Sequence, residues 1–313
     1  MLLVLLSLLV GLVFLVVGAE LLVRGGGQLA LALRIPALVV GLTIVAFGTS
    51  APELMVSVTA AMNASTEMAL ANVNGSNLAN IALVLGLAAV VAPLTVERTL
   101  LWREIPTVLL LQALVPAMCL DGQIARWEGI VLLLGGVAYN AWLMYEAMRG
   151  RAPAPDDDLD PEDDNVLKHT GLLVLGLLVL VGSAQLFVYG AVGVAGALGF
   201  SDRFIGLTVV ALGTSAPEMA TGMVSSYRGE VDLAVGNSLG SNLLNIAMVL
   251  GITSLIHPIE TTDPAAFTDM YVAFGVTVLL VPFVLKGSIT RVEGGVMAGG
   301  YVAYLFAGYY FGG

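Results

Sequence analysis

The sequence predicts an all-α polytopic membrane protein, with ten transmembrane helices arranged as two inverted five-helix repeats. Three observations carry that prediction. The chain is too apolar for a water-exposed surface, it divides into ten apolar stretches of spanning length, and its second half repeats its first. Of 313 residues, 58% are hydrophobic and 11% charged, with mean hydropathy +0.95. A soluble domain carries about 25% charged residues. The deficit argues for lipid covering much of the protein and against a soluble enzyme. The net charge of −11 is misleading, because seven of the 23 acids lie in one segment, and no nucleic-acid partner is expected.

In chain order, the spans read as roughly 2–23, 36–62, 67–93, 100–120, 127–148, 169–190, 201–227, 231–257, 266–285 and 292–311. The first run has spanning length and no small-residue cleavage site, so it reads as a helix rather than a signal peptide. The second is about 27 residues, or about 40 Å at 1.5 Å per residue. That exceeds a hydrocarbon core of about 30 Å, so it must tilt or break. Residues 1–148 form the first repeat, 149–168 a linker and 169–313 the second repeat. Seven acids fall in Asp156–Asp164 behind Ala-Pro-Ala-Pro, the composition of a solvated segment. A regulatory cation-binding loop is the alternative. The single cysteine, Cys119, cannot form an internal disulfide.

With the N-terminus outside, inner loops take Arg24, Arg34, Arg98, Arg103, Arg149, Arg151, Lys168, Arg228, Lys286 and Arg291. Outer loops take only Arg126 and Arg203. The positive-inside rule then puts both termini outside the cell inner (cytoplasmic) membrane and the acidic linker in the cytoplasm.

Gly41–Gly86 and Gly206–Gly251 align without a gap at an offset of 165 residues, with 23 of 46 positions identical. The offset persists outside this block. Gly18-Ala-Glu-Leu-Leu-Val maps to Ser183-Ala-Gln-Leu-Phe-Val, and Gly122–Gly129 maps to Gly287–Gly294. Each copy therefore holds five spans. An odd number of crossings starts the second copy from the opposite side, so the copies are inverted. Inverted repeats around a midplane site are the build of many secondary transporters.

Two carboxylates lie well inside spans, Glu53 and its repeat mate Glu218, with no Lys or Arg predicted at their depth. A carboxylate buried in lipid is protonated, paired or metal-bound. A mobile cation fits the missing partner; a permanently protonated, hydrogen-bonded pair is the alternative. Each glutamate closes the motif Gly-Thr-Ser-Ala-Pro-Glu. The mid-span prolines 52 and 217 lack an N–H and break the helix. Broken backbone at membrane depth lines a cavity. It is expected to free the carbonyls of Ala46 and Ala211, beside the hydroxyls of Thr49, Ser50, Thr214 and Ser215. The following span adds Asn72, Ser76 and Asn80 on one face. The second copy adds Asn237, Ser241 and Asn245, and Asn77 and Asn242 sit just off these stripes. Interhelical packing is the alternative use of such stripes.

The donor set is all oxygen, and His169 and His257 fall at span ends, so a soft metal is disfavoured. Ca²⁺ and Na⁺ suit such a set better than Mg²⁺, which sheds water reluctantly. Two glutamates balance one Ca²⁺ or two Na⁺, so the ions can compete for one cage.

The doubled GTSAPE followed by two copies of N-x-x-GSN-x-x-N resembles the α-repeats of the Ca²⁺/cation antiporter superfamily, in its prokaryotic Na⁺/Ca²⁺ exchanger branch. The resemblance implies ten helices and alternating access at a midplane site, with no cofactor and a monomer sufficient. It implies cation ligands at Ala46, Thr49, Ser50, Glu53, Ser76, Asn80, Ala211, Thr214, Ser215, Glu218 and Ser241. Three departures stand out: Ala71 precedes Asn72 where glycine is common, Asn74 replaces an apolar residue, and Asn245 stands where some relatives carry Asp. The last argues for K⁺ independence. Three other readings remain: a Ca²⁺/H⁺ antiporter of the same build, a passive cation channel, and an intramembrane hydrolase using Ser50 or Ser215. The hydrolase lacks a base within reach, because both histidines are remote from those serines.

Overall fold

The computed structural model describes residues 1–150, 165–199, 211–261 and 264–311. The acidic run Asp156–Asp164 and the predicted start of the seventh span, 201–210, lie outside the described residues.

The first repeat begins with α1 (Leu2–Leu33), which ends where Arg34 takes a left-handed conformation (φ 55) ahead of Pro36. The break predicted in the second span falls at Ser50. It divides α2 (Ala37–Thr49) from α3 (Ala51–Met62), and the two are bent by 44°. Pro52 sits in the first turn of α3, where its missing N–H costs nothing, but it cannot extend α2. Then follow α4 (Thr66–Val91), α5 (Glu104–Met118) and α6 (Arg126–Arg149).

The second repeat opens with α7 (Val166–Ala197). Its broken helix comprises α8 (Ala211–Thr214) and α9 (Ala216–Arg228), divided at Ser215. The chain continues through α10 (Val231–Ile256), α11 (Pro264–Val278), α12 (Leu280–Lys286) and α13 (Arg291–Phe311). Seven helices among the described residues are long and apolar enough to cross a membrane, eight with α2 and α3 taken as one span. The chain is thus a multi-pass helical membrane protein. The two further predicted spans are that of α8–α9, whose predicted start lies outside the described residues, and α13.

The first span is longer than the sequence indicated. It was expected to end at Val23, with Arg24 in a loop. Instead, Arg24 stays helical and pairs with Glu20 one turn back, and the glycines at 25–27 carry the helix on.

Helices α4 and α10 form the centre: 83% and 78% of their apolar windows are buried, against 22% for α1 and α6. Each broken helix packs on the long central helix of the other repeat, α2 on α10 and α9 on α4. Helices α1 and α7 form a peripheral pair with their backbones nearly in contact. A Cβ on Gly18 would lie 2.7 Å from the Leu180 nitrogen, and one on Gly176 would lie 2.4 Å from the Leu22 nitrogen. Lipid tails are as apolar as leucine, so such a seam is held by close packing rather than by escape from water.

Two short antiparallel clips tie the repeats together. Strand β1 (Leu94–Thr95) pairs with β4 (Ser288–Ile289), and β2 (Gln123–Ile124) pairs with β3 (Ile259–Glu260). Near the first clip the Arg98 guanidinium donates to the Leu285 carbonyl, and Arg291 donates to that of Val91.

Candidate cation site

The helix breaks at Ser50 and Ser215 set the site. Both motifs turn inward there, so Glu53 and Glu218 each follow a break by three residues and are 1% exposed. The Ser76 hydroxyl of α4 donates to Glu53 Oε1 at 3.4 Å, and the Ser215 hydroxyl faces the same carboxylate from the other repeat. Thr49 and Ser50 lie beside Glu218 from the first repeat. The Thr49 hydroxyl lies 3.0 Å from Asn237 Oδ1 and 3.5 Å from Ser241 Oγ. Each repeat thus places hydroxyls beside the other repeat's glutamate, although neither Ser50 Oγ nor Ser215 Oγ is bonded to it.

Seven buried oxygens here have no hydrogen-bond partner among the described residues: Ser50 Oγ, Glu53 Oε2, Asn80 Oδ1, Ser215 Oγ, both carboxylate oxygens of Glu218, and Asn245 Oδ1. All belong to residues singled out from the sequence. A buried polar group left unpaired costs about 1–3 kcal/mol, and a charged one more. Neither glutamate has a basic partner among the described residues. Nor does any group of three or more His, Cys, Asp or Glu placed to hold a metal ion occur among them. The chemistry is therefore two carboxylates within a shell of neutral oxygens, which fits a hard cation.

Not every predicted residue is placed as expected. The Ala46 carbonyl was expected to be freed by the break, yet it accepts the Ser50 N–H at 3.0 Å. Proline removes the donor four residues on from Gly48, not from Ala46, so the break spares that bond. The Thr49 hydroxyl also approaches that carbonyl at 3.4 Å but lies nearer Asn237 Oδ1, so Ala46 offers its second lone pair when Thr49 donates to Asn237. Asn72 is half-buried and donates to the Glu53 backbone carbonyl at 3.2 Å and to Ser57 at 3.0 Å, bracing α3. Its mate Asn237 turns Oδ1 toward Thr49 and leaves Nδ2 unpartnered. Ala211 is the first described residue of α8, and Thr214 ends that helix. Asn80 and Asn245 mark the start of π-helical turns, Asn80–Val84 and Asn245–Leu250, a local widening frequent at functional sites. Sequence reasoning left Asn77 and Asn242 aside because they fall off the i, i+4 stripe. Both are buried and bonded into the site's asparagines.

A crevice of about 640 Å³ lies beside the site on one face. It runs between α3 and α7, past Met55, Asn63, Gln185 and Tyr189, to Pro52 and Thr214. The offset of 165 maps Asn63 to Arg228 and Gln185 to Glu20. At that equivalent place on the opposite face, Arg228 Nε donates to Glu20 at 3.0 Å and ties α9 to α1. An ion pair thus stands on one face where two amides line the crevice on the other.

A family model described as "Sodium/calcium exchanger protein" matches residues 3–145 and 168–310, both repeats in full register. The chain belongs to this sodium/calcium exchanger family. Its fold and family are those of a transporter rather than of an enzyme. It is 40% identical over 309 residues to the putative antiporter CaxA of Alkalimonas amylolytica, covering 95% of this chain and 96% of that one. It is 25% identical over 286 residues to the Ca²⁺/H⁺ antiporter ChaA of Bacillus subtilis, covering 84% and 80%. Among solved structures, the sodium-calcium exchanger NCX_Mj superposes with a TM-score of 0.84 at 30% identity, over 99% of each chain.

Proposed function

We propose that this exchanger moves Na⁺ against Ca²⁺ across the cytoplasmic membrane by alternating access at the cage around Glu53 and Glu218. The observation that carries the reading is the set of seven unpartnered oxygens. They include three carboxylate oxygens and lie at the junction of two inverted repeats with no basic residue among the described neighbours. A charge of −2 is balanced by one Ca²⁺ or by two Na⁺, so occupancy by one ion excludes the other. Backbone and hydroxyl oxygens from Ala46, Thr49, Ser50, Ser76, Ala211, Thr214, Ser215 and Ser241, with the amide oxygens of Asn80 and Asn245, complete the shell. A proton needs no such shell, and this favours Na⁺ as the counter-ion. The crevice past Asn63 opens outward on the positive-inside orientation, which keeps both termini outside and the linker in the cytoplasm.

Proton coupling is the second reading, favoured by the likeness to ChaA and by the ability of either glutamate to carry a proton. The test is Ca²⁺ uptake into proteoliposomes of the purified protein under imposed Na⁺, K⁺ or H⁺ gradients. An outward Na⁺ gradient should drive uptake without K⁺. Uptake driven only by a pH gradient would establish proton exchange, and flux indifferent to every counter-ion would mean a channel.

A further inference from the structure

The four asparagines of the two GSN-x-x-N motifs form a closed set of cross-repeat contacts. Asn80 Nδ2 donates to Asn242 Oδ1 at 3.1 Å, and Asn245 Nδ2 donates to Asn77 Oδ1 at 3.1 Å. The offset of 165 exchanges these two bonds, since 77 maps to 242 and 80 to 245. All four side chains are at most 2% exposed. An asparagine amide has an acceptor end and a donor end of nearly equal size, so its orientation is set only by its partners. One partner here is unambiguous. Asn242 Nδ2 donates to the backbone carbonyl of Asn77 at 3.1 Å, and a carbonyl can only accept. That fixes Asn242 with Oδ1 toward Asn80. Asn80 must then offer its nitrogen to Asn242, which turns its own Oδ1 away. Asn80 Oδ1 and Asn245 Oδ1 are the two amide oxygens of this set left without a partner.

We infer that Asn77 and Asn242 are positioning residues. Each takes the N–H of the other repeat's Asn245 or Asn80, so that both amides present oxygen, and never nitrogen, to the cation. The inference rests on the cage reading above and adds what holds its neutral ligands in register. Without the brace, an Asn245 amide can rotate by half a turn. An N–H then points where an oxygen should, which repels a cation. A carboxylate at the same place has no wrong end and needs no brace.

That difference supplies the test, a double-mutant cycle read by Ca²⁺ binding to the purified, monodisperse full chain in Na⁺-free buffer. Asn77→Leu removes the acceptor for Asn245 and keeps the branched side-chain skeleton. It should weaken Ca²⁺ binding tenfold or more in the natural background and less than threefold in the Asn245→Asp background. The symmetric cycle, Asn242→Leu with and without Asn80→Asp, should behave alike and serves if Asn77→Leu does not fold. Asn77→Asp keeps an acceptor toward Asn245 and should cost less than Asn77→Leu. Equal losses in both backgrounds would mean that Asn77 and Asn242 only pack, and would overturn the inference while leaving the cage intact. No Ca²⁺ binding by the unmutated chain would overturn both.

Discussion

Replacing either buried glutamate by glutamine is the most demanding test of the cage. Glu53→Gln and Glu218→Gln keep shape and hydrogen-bonding capacity and remove one unit of charge, leaving −1 to face a divalent ion. Removing one member of a buried, hydrogen-bonded charge pair costs about 2–5 kcal/mol. At about 1.4 kcal/mol per decade, Ca²⁺ binding should fall by about 1.5 to 3.5 orders of magnitude. The structure narrows the comparison between the two. Glu53 keeps one oxygen bonded to Ser76, whereas both oxygens of Glu218 are unpartnered. Glu218→Gln should therefore be at least as damaging as Glu53→Gln, with the two within about one decade, or 1.4 kcal/mol. Both variants should fold, because a neutral amide is less costly to bury than a carboxylate. The assay is Na⁺-driven Ca²⁺ flux in proteoliposomes, after each variant elutes as a single monodisperse species. Near-normal flux in either variant would take that glutamate out of the site and refute the reasoning.

Asn245→Asp raises the possible cage charge from −2 to −3 and adds an ionisable group. It should alter Na⁺/K⁺ selectivity and add a pH dependence to transport, and unchanged ion and pH profiles would put Asn245 outside the cage. Deleting Asp156–Asp164 should leave transport nearly intact, and a large change in Ca²⁺ activation of that variant would instead assign the segment a regulatory role. Gly176→Leu drives a side chain into the α1 backbone and should destabilise the protein by about 1–3 kcal/mol in thermal unfolding. Gly182→Ala, with nothing within 4 Å of its added Cβ, should be silent, and equal melting temperatures for the pair would contradict the close α1–α7 seam. Arg228→Gln releases α9 from Glu20, a partly exposed pair worth up to about 1 kcal/mol. Reactivity of a thiol introduced by Asn63→Cys should then fall by up to about fivefold as the opposite face opens. Cys119 is buried and will not compete for the reagent, and unchanged reactivity would show that the ion pair does not bias the two faces.

Much of this was legible in the chain because the duplication reports twice on every feature. Two prolines, two glutamates and two GSN motifs at one offset gave the breaks, the carboxylates and the inward faces. What stayed hidden depends on details finer than spacing. The extension of α1 past Val23 was hidden because an ion pair keeps Arg24 on the helix, while the glycine run after it reads as a loop when scored by hydropathy. The Ala46 carbonyl keeps its bond because proline acts on the residue four before it, a point that counting from the break obscures. The roles of Asn77 and Asn242 come from their cross-repeat bonds, and an i, i+4 stripe describes only one helix at a time.

The two β clips say something about origin. Leu94 pairs with Ile289, and Ile124 pairs with Ile259. Subtracting the offset of 165 from 289 and 259 gives 124 and 94. Each clip is thus the other with its partners exchanged. Reciprocity of this kind defines the self-complementary contact between two identical subunits about a two-fold axis. The amide contacts of Asn77, Asn80, Asn242 and Asn245 obey the same rule. The junction that carries the cage is therefore organised as a homodimer interface, with its two subunits now written in one chain. Within one chain the two sides of such an interface need not be identical. Asn63 against Arg228 and Gln185 against Glu20 are such differences, and a strictly symmetric pair of identical chains could not hold one face shut without holding the other.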